Sequence, residues 1–112
     1  MSIIIINKAH RSIHKGPRVY CGRGSPLGNP FVLGKDGNRD QVCDKYAAWF
    51  KEQLQVSSYG GNDAFADLLH LITRNARSGD VMLECFCAPR RCHCETIKAY
   101  VENVLKHPKK SL

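Results

Sequence analysis

The chain has 112 residues, 43% hydrophobic and 24% charged, enough for one compact core and too apolar for wholesale disorder. No apolar run approaches the ~18–20 residues that cross a bilayer, and membrane-span, collagen, coiled-coil and repeat-array architectures are excluded. Seventeen Lys and Arg against ten Asp and Glu give a net charge of +7, concentrated at the two ends: residues 1–35 hold six bases and no acid, and residues 89–112 hold six bases and two acids.

Residues 3–6 are four isoleucines, a β-branched run expected of a strand covered on both faces rather than of a signal peptide. Residues 7–17 are polar and basic, with His10 and His14, and read as a loop whose histidines are solvated. A second short strand is predicted over 18–21. It runs into Gly22-Arg23-Gly24-Ser25-Pro26-Leu27-Gly28-Asn29-Pro30, where five of nine residues are Gly or Pro and only a shaped loop fits. Residues 31–33 are expected as an edge strand, closed by a turn over 34–37.

Asn38 or Asp36 caps a helix predicted over about 39–55, with Val42, Cys43, Tyr46, Trp49, Phe50 and Leu54 at helical spacing. Asn62 or Asp63 starts a second, with Phe65, Leu68, Leu69, Ile72 and Ala76 on one face and Ser78-Gly79 at its end. A strand over 81–86 follows, then a helix over about 92–105 with Ile97, Val101, Val104 and Leu105 as its buried stripe. This order predicts an α/β fold: a small single-domain three-layer sandwich, flavodoxin- or Rossmann-like, with a mixed or parallel sheet and about three helices. The domain is expected over 1–107, with a flexible basic tail over 108–112.

Six cysteines fit a reducing compartment better than a disulfide scaffold, because Cys85, Cys87, Cys92 and Cys94 crowd into ten residues and bridges there would close very small loops. The expected setting is therefore cytoplasmic. Cys21 and Cys43 stand apart and read as small buried hydrophobes.

Two stretches carry chemistry. In Cys85-Phe86-Cys87-Ala88-Pro89-Arg90-Arg91-Cys92-His93-Cys94, a strand ends, Pro89 bends the chain and a helix begins. Cys92 and His93 then sit at a helix N-terminus, where free N–H groups and the dipole favour negative charge. One reading is a thiolate at Cys92 with a depressed pKa, paired with His93 and helped by Arg90 and Arg91, or an anion held by the same groups. The other is a zinc site from some four of Cys85, Cys87, Cys92, His93 and Cys94, with Cys85, Cys87, Cys92 and His93 as the first set. The plain alternative leaves Cys85 and Cys87 as core strand residues and Cys94 as an incidental helix residue.

In the first stretch, glycines let a ligand approach the backbone and Arg23 offers a planar, permanently charged fork. Gly24, Ser25, Gly28 and Asn29 join Arg23 as candidate ligand contacts. A tight structural loop explains the glycines and prolines but not an arginine between two glycines. The stretch matches neither the dinucleotide fingerprint nor the P-loop. Arg39, at a helix start, is a misplaced cation on dipole grounds and is a further candidate contact, with a surface ion pair to Asp36 or Asp40 as its plain reading. No Ser/His/Asp cluster or metalloprotease signature is present, so hydrolase and kinase readings lack their parts.

The run 19–31, then Asn38-Arg39-Asp40 and Tyr46, then 85–93 resembles a family of small phage and bacterial proteins known only as a domain of unknown function, with a GRGSPLGNPF loop and a CxCxPxxCH motif. The resemblance spans roughly residues 18–105. Its usual glycine after the Cys-His pair is replaced by Cys94, which implies that this extra thiol is not an essential ligand. The Cys-His end also resembles a second uncharacterised α/β family, which implies a flavodoxin-like layout. Neither brings an activity, and whether the chain is an enzyme stays open. The phage connection implies a setting in the host cytoplasm.

Three functions compete. The first is a pocket for a nucleotide-like or other phosphorylated anion, formed by the 22–30 loop and the Cys92-His93 helix start, with catalysis undecided. The second is a nucleic-acid-binding module carrying structural zinc, whose affinity falls steeply with salt. The third is a phage effector that inhibits a host protein. Membrane partners are not expected. The first rests on the two strands before these loops running parallel, so that both loops meet at one edge and share a pocket.

Overall fold

A computed structural model describes residues 2–9, 15–87 and 90–107. Three strands, β1 (Ile3–Asn7), β2 (Arg18–Tyr20) and β3 (Val81–Cys85), form one sheet in the order β1-β3-β2. Both pairings are parallel, with Ile3 opposite Val81, Asn7 opposite Cys85, and Tyr20 opposite Glu84. Parallel neighbours need long crossovers, and the connection from β2 to β3 contains helices α1 (Arg39–Ser58) and α2 (Asp63–Ser78). The third helix, α3 (Cys94–Lys106), follows β3. The chain is thus a small α/β domain whose sheet takes the parallel form.

Alternation along the strands sets the core. Val19, Val81, Leu83 and Cys85 on one face join Ile3 in a single buried cluster, with Ile5 packed against it. The same cluster contains Tyr46 and Phe50 of α1, Phe65, Leu69, Ile72 and Ala76 of α2, and Ile97 and Val101 of α3. An aromatic line runs through it, with ring centroids 5.9 Å apart for Tyr46 and Phe50 and 5.2 Å for Phe50 and Phe65. On the other face Met82 is fully buried. The neighbouring Glu84 carboxylate there meets Lys8 at 3.6 Å and Arg18 at 3.9 Å.

The helix starts follow their capping chemistry. Asn38, not Asp36, caps α1: its side chain accepts from Gln41 N, and Gln41 Oε1 accepts from Asn38 N, both at 2.9 Å. Asn62 caps α2 from the left-handed region at φ 50°, which asparagine tolerates better than most residues. Strands β2 and β3 each end one residue early, and larger differences occur elsewhere. Helix α1 runs on to Ser58, helix α3 begins two residues later than its spacing suggested, and residues 31–33 form no strand. Val32 N donates to Asp36 Oδ2 at 2.7 Å, and Val32 O accepts from Lys35 N and Asp36 N. The segment is consumed by a local turn before any sheet edge can use it.

The loop readings at His10 and His14, the bend at Pro89 and the tail over 108–112 fall outside the described residues. Among the described residues, no helix is long and apolar enough to cross a membrane.

Candidate functional site

Because all three strands are parallel, their carboxyl ends lie along one edge of the sheet, where ligands collect in open α/β folds. The loop after β2 and the segment between β3 and α3 both leave from that edge. Cys21 N donates to Glu84 O at 2.9 Å, which extends the strand contact into the start of the glycine-rich loop.

That loop is two successive turns. Ser25 N and Ser25 Oγ both donate to Gly22 O, at 3.0 and 2.8 Å, and Gly28 N donates to Ser25 O at 3.0 Å. Gly28 lies so near the Gly22 carbonyl that a Cβ there would come within 2.5 Å of its oxygen. The turn at Gly24 uses φ +94°, which favours glycine. The buried Leu27 carbonyl accepts from Tyr46 Oη at 2.8 Å, and Asn29 Nδ2 donates to Val42 O at 3.2 Å, so α1 holds the loop from below. Arg23 closes it from above, donating from Nη1 to Asn29 O at 3.1 Å and from Nη2 to Phe31 O at 3.4 Å. This supplies the structural reason for an arginine between two glycines that the loop composition lacked.

Arg23 and Asn29 line a cleft of about 220 Å³ together with Arg39, Arg91, Cys92 and His93. Cys85 and Cys87 also face it, and Phe31, Leu33, Val42, Cys43 and Phe86 supply apolar wall. Gly24, Ser25, Gly28 and Arg90 do not line it: the first three shape the loop, and Arg90 is exposed. The apolar wall residues carried no signal in the sequence, since nothing local shows which side of α1 meets the loop.

The arginines differ in commitment. Arg91 donates to Asp40 Oδ1 and Asp44 Oδ1, both at 2.9 Å, and this pairing keeps its guanidinium firmly charged. Arg39 donates to Arg91 O at 3.2 Å, and Asp40, one of its expected partners, is held by Arg91 instead. Among the described residues neither Arg23 nor Arg39 forms an ion pair, and no Asp or Glu lines the cleft.

At the cleft floor the chemistry departs from a depressed thiol. Cys92 is 4% exposed, and its Sγ donates to Cys85 Sγ at 3.5 Å. That hydrogen bond, with burial adding to it, pushes the Cys92 thiol up to about 12. The expected activators are elsewhere: α3 starts at Cys94, Arg91 is spent on α1, and Arg90 points to solvent. His93 is 6% exposed, and burial lowers its pKa, so the ring is neutral at neutral pH. Its Nε2 faces the Cys21 carbonyl, which can only accept, so Nε2 carries the proton. This engagement explains why His93 precedes α3 without capping it; the Cys92 N–H is met instead by Glu95 Oε2 at 3.2 Å.

Cys85 and Cys92 stand with Cys94 in a group of thiols whose sulfurs all lie within 4.8 Å of one another. Cys94 thus belongs to the group, while Cys87 is only half-buried and lies outside it. Cys21 and Cys43 are buried, as their isolation in the sequence suggested.

A family model described as a domain of unknown function, DUF4326, matches residues 5–103. The chain belongs to that family. The match takes in β2, β3, the end of β1, the glycine-rich loop and the Cys-His segment, so both halves of the DUF4326 cleft lie within it. No curated protein and no solved structure matches the chain.

Proposed function

We propose that this DUF4326 chain binds a small phosphorylated anion, of nucleotide type, in the cleft between the glycine-rich loop and the start of α3. The observation that carries this reading is the charge of the cleft: among the described residues, two arginines without carboxylate partners line it and no acidic side chain does. Guanidinium forks match phosphate oxygens, and a cationic cleft strengthens the attraction by focusing the field. Phe31 and Phe86, the latter 58% exposed, give the same cleft flat apolar faces suited to a base or sugar. The function so read is binding, because the neutral, buried Cys92 thiol is not an activated nucleophile. The reduced thiols favour a cytoplasmic setting.

The test is titration calorimetry with a panel of nucleoside mono-, di- and triphosphates and inorganic phosphate, on wild type and on Arg39→Ala. The expected result is saturable, one-to-one binding of at least one nucleotide, weakened at least about tenfold by Arg39→Ala, as for loss of one charge-assisted bond. Equal binding by both proteins, or none by wild type at low ionic strength, overturns the reading. Arg39 serves here because Arg23 also holds the loop together.

A further inference from the structure

The anion reading leaves unexplained why three thiols meet beneath the cleft. Cys85 comes from the end of β3, and Cys92 and Cys94 from the first turn around the start of α3. All three are buried thiols outside any disulfide, and Cys94 is fully enclosed. A purely apolar core needs small side chains at such positions, but it does not need their sulfurs to converge. We propose that Cys85, Cys92 and Cys94 bind a thiophilic divalent ion, Zn²⁺, at the floor of the cleft.

The dimensions suit the ion. Thiolates around tetrahedral zinc, with Zn–S of about 2.3 Å, stand about 3.8 Å apart. Cys85 Sγ and Cys92 Sγ are 3.5 Å apart, and the whole group lies within 4.8 Å, so adjustments of at most about 1 Å close it on a metal. Two of the ligands sit on regular elements, which keeps the site short of the flexibility that weakens metal binding. The N–H groups at the start of α3 offset the negative charge of three thiolates around one divalent ion. Cys85 and Cys92 also line the cleft, so the ion has a path from solvent while Cys94 closes the site from behind. A nitrogen donor stands beside the group: His93 Nε2 is 4.0 Å from Cys94 Sγ, and it must leave the Cys21 carbonyl to ligate. On binding, each thiol gives its proton to solvent and its sulfur lone pair to the metal, with no change of oxidation state.

Of the five donors that the sequence offers, this set takes Cys94 and omits Cys87. It also stands apart from the anion reading and survives that reading's failure. Reduced, chelator-stripped wild type is titrated with Co²⁺, then with Zn²⁺, following absorbance and metal content. One equivalent of Co²⁺ is expected to bring thiolate-to-cobalt charge-transfer bands and tetrahedral visible bands, both erased by one equivalent of Zn²⁺. Cys92→Ser and Cys94→Ser should weaken binding by more than about 100-fold, beyond the range for an outer partner of a metal ligand, while Cys87→Ser keeps it. If Cys94→Ser does not fold, the wild-type titration and the comparison of Cys92→Ser with Cys87→Ser decide. Folded wild type without charge-transfer bands at stoichiometric Co²⁺, or loss of binding in Cys87→Ser with retention in Cys92→Ser, overturns the proposal.

Discussion

Tyr46→Phe removes one hydroxyl from the centre of the molecule and leaves the ring in place. The phenol is fully buried and donates at 2.8 Å to the carbonyl of Leu27, itself fully buried. Water cannot replace the lost donor, so the change strands a dry carbonyl and should lower stability by about 1–3 kcal/mol. At this chain length the melting temperature should fall by roughly 4–6 °C per kcal/mol. A second signature follows from titration. Burial raises the Tyr46 pKa above its ordinary value of 10.0, so the unfolded chain loses this proton first. The contribution of the neutral phenol is complete below pH 10 and is lost as pH rises beyond it. The stability gap between wild type and Tyr46→Phe should therefore narrow above pH 10, by at most about 1.4 kcal/mol per pH unit. Urea denaturation of both proteins at neutral and alkaline pH measures both effects. A variant within about 0.5 kcal/mol of wild type, the range of ordinary surface changes, with a gap that ignores pH, would refute the claim that α1 holds the glycine-rich loop through this bond.

Asn38→Ala removes the capping box of α1 and should cost about 1 kcal/mol, read as a lower urea midpoint with an unchanged slope. Gly28→Ala places a Cβ 2.5 Å from the Gly22 carbonyl oxygen and should cost about 1–3 kcal/mol. Gly79→Ala meets nothing within 4 Å in extended backbone and should stay within about 0.5 kcal/mol of wild type by the same assay. Phe65→Ala empties a fully buried site between Phe50 and Trp49 and should cost about 3–5 kcal/mol in the same measurement.

The elements were largely legible because their signals are local. Asn38 and Asn62 announce helix starts through short-range hydrogen bonds, and the isoleucine run of β1 declares burial through β-branching. The failures had one local and one distant cause. Residues 31–33 have strand composition, but Asp36 captures the Val32 N–H four residues away. The start of α3 shifts because His93 turns to a carbonyl contributed by Cys21, far off in the chain.

What the amino-acid order determined by itself was the α/β class, the helix caps, the cationic ends and two loops rich in chemical groups. Those properties depend on neighbours a few positions apart. Tertiary structure decided which groups meet: Asp40 and Asp44 claim Arg91, Arg39 finds no carboxylate among the described residues, and Cys94 rather than Cys87 joins Cys85 and Cys92. Each of those outcomes turns on how α1 and α3 sit against the end of β3, a placement set by packing of the shared core, which spacing along one strand or helix does not encode.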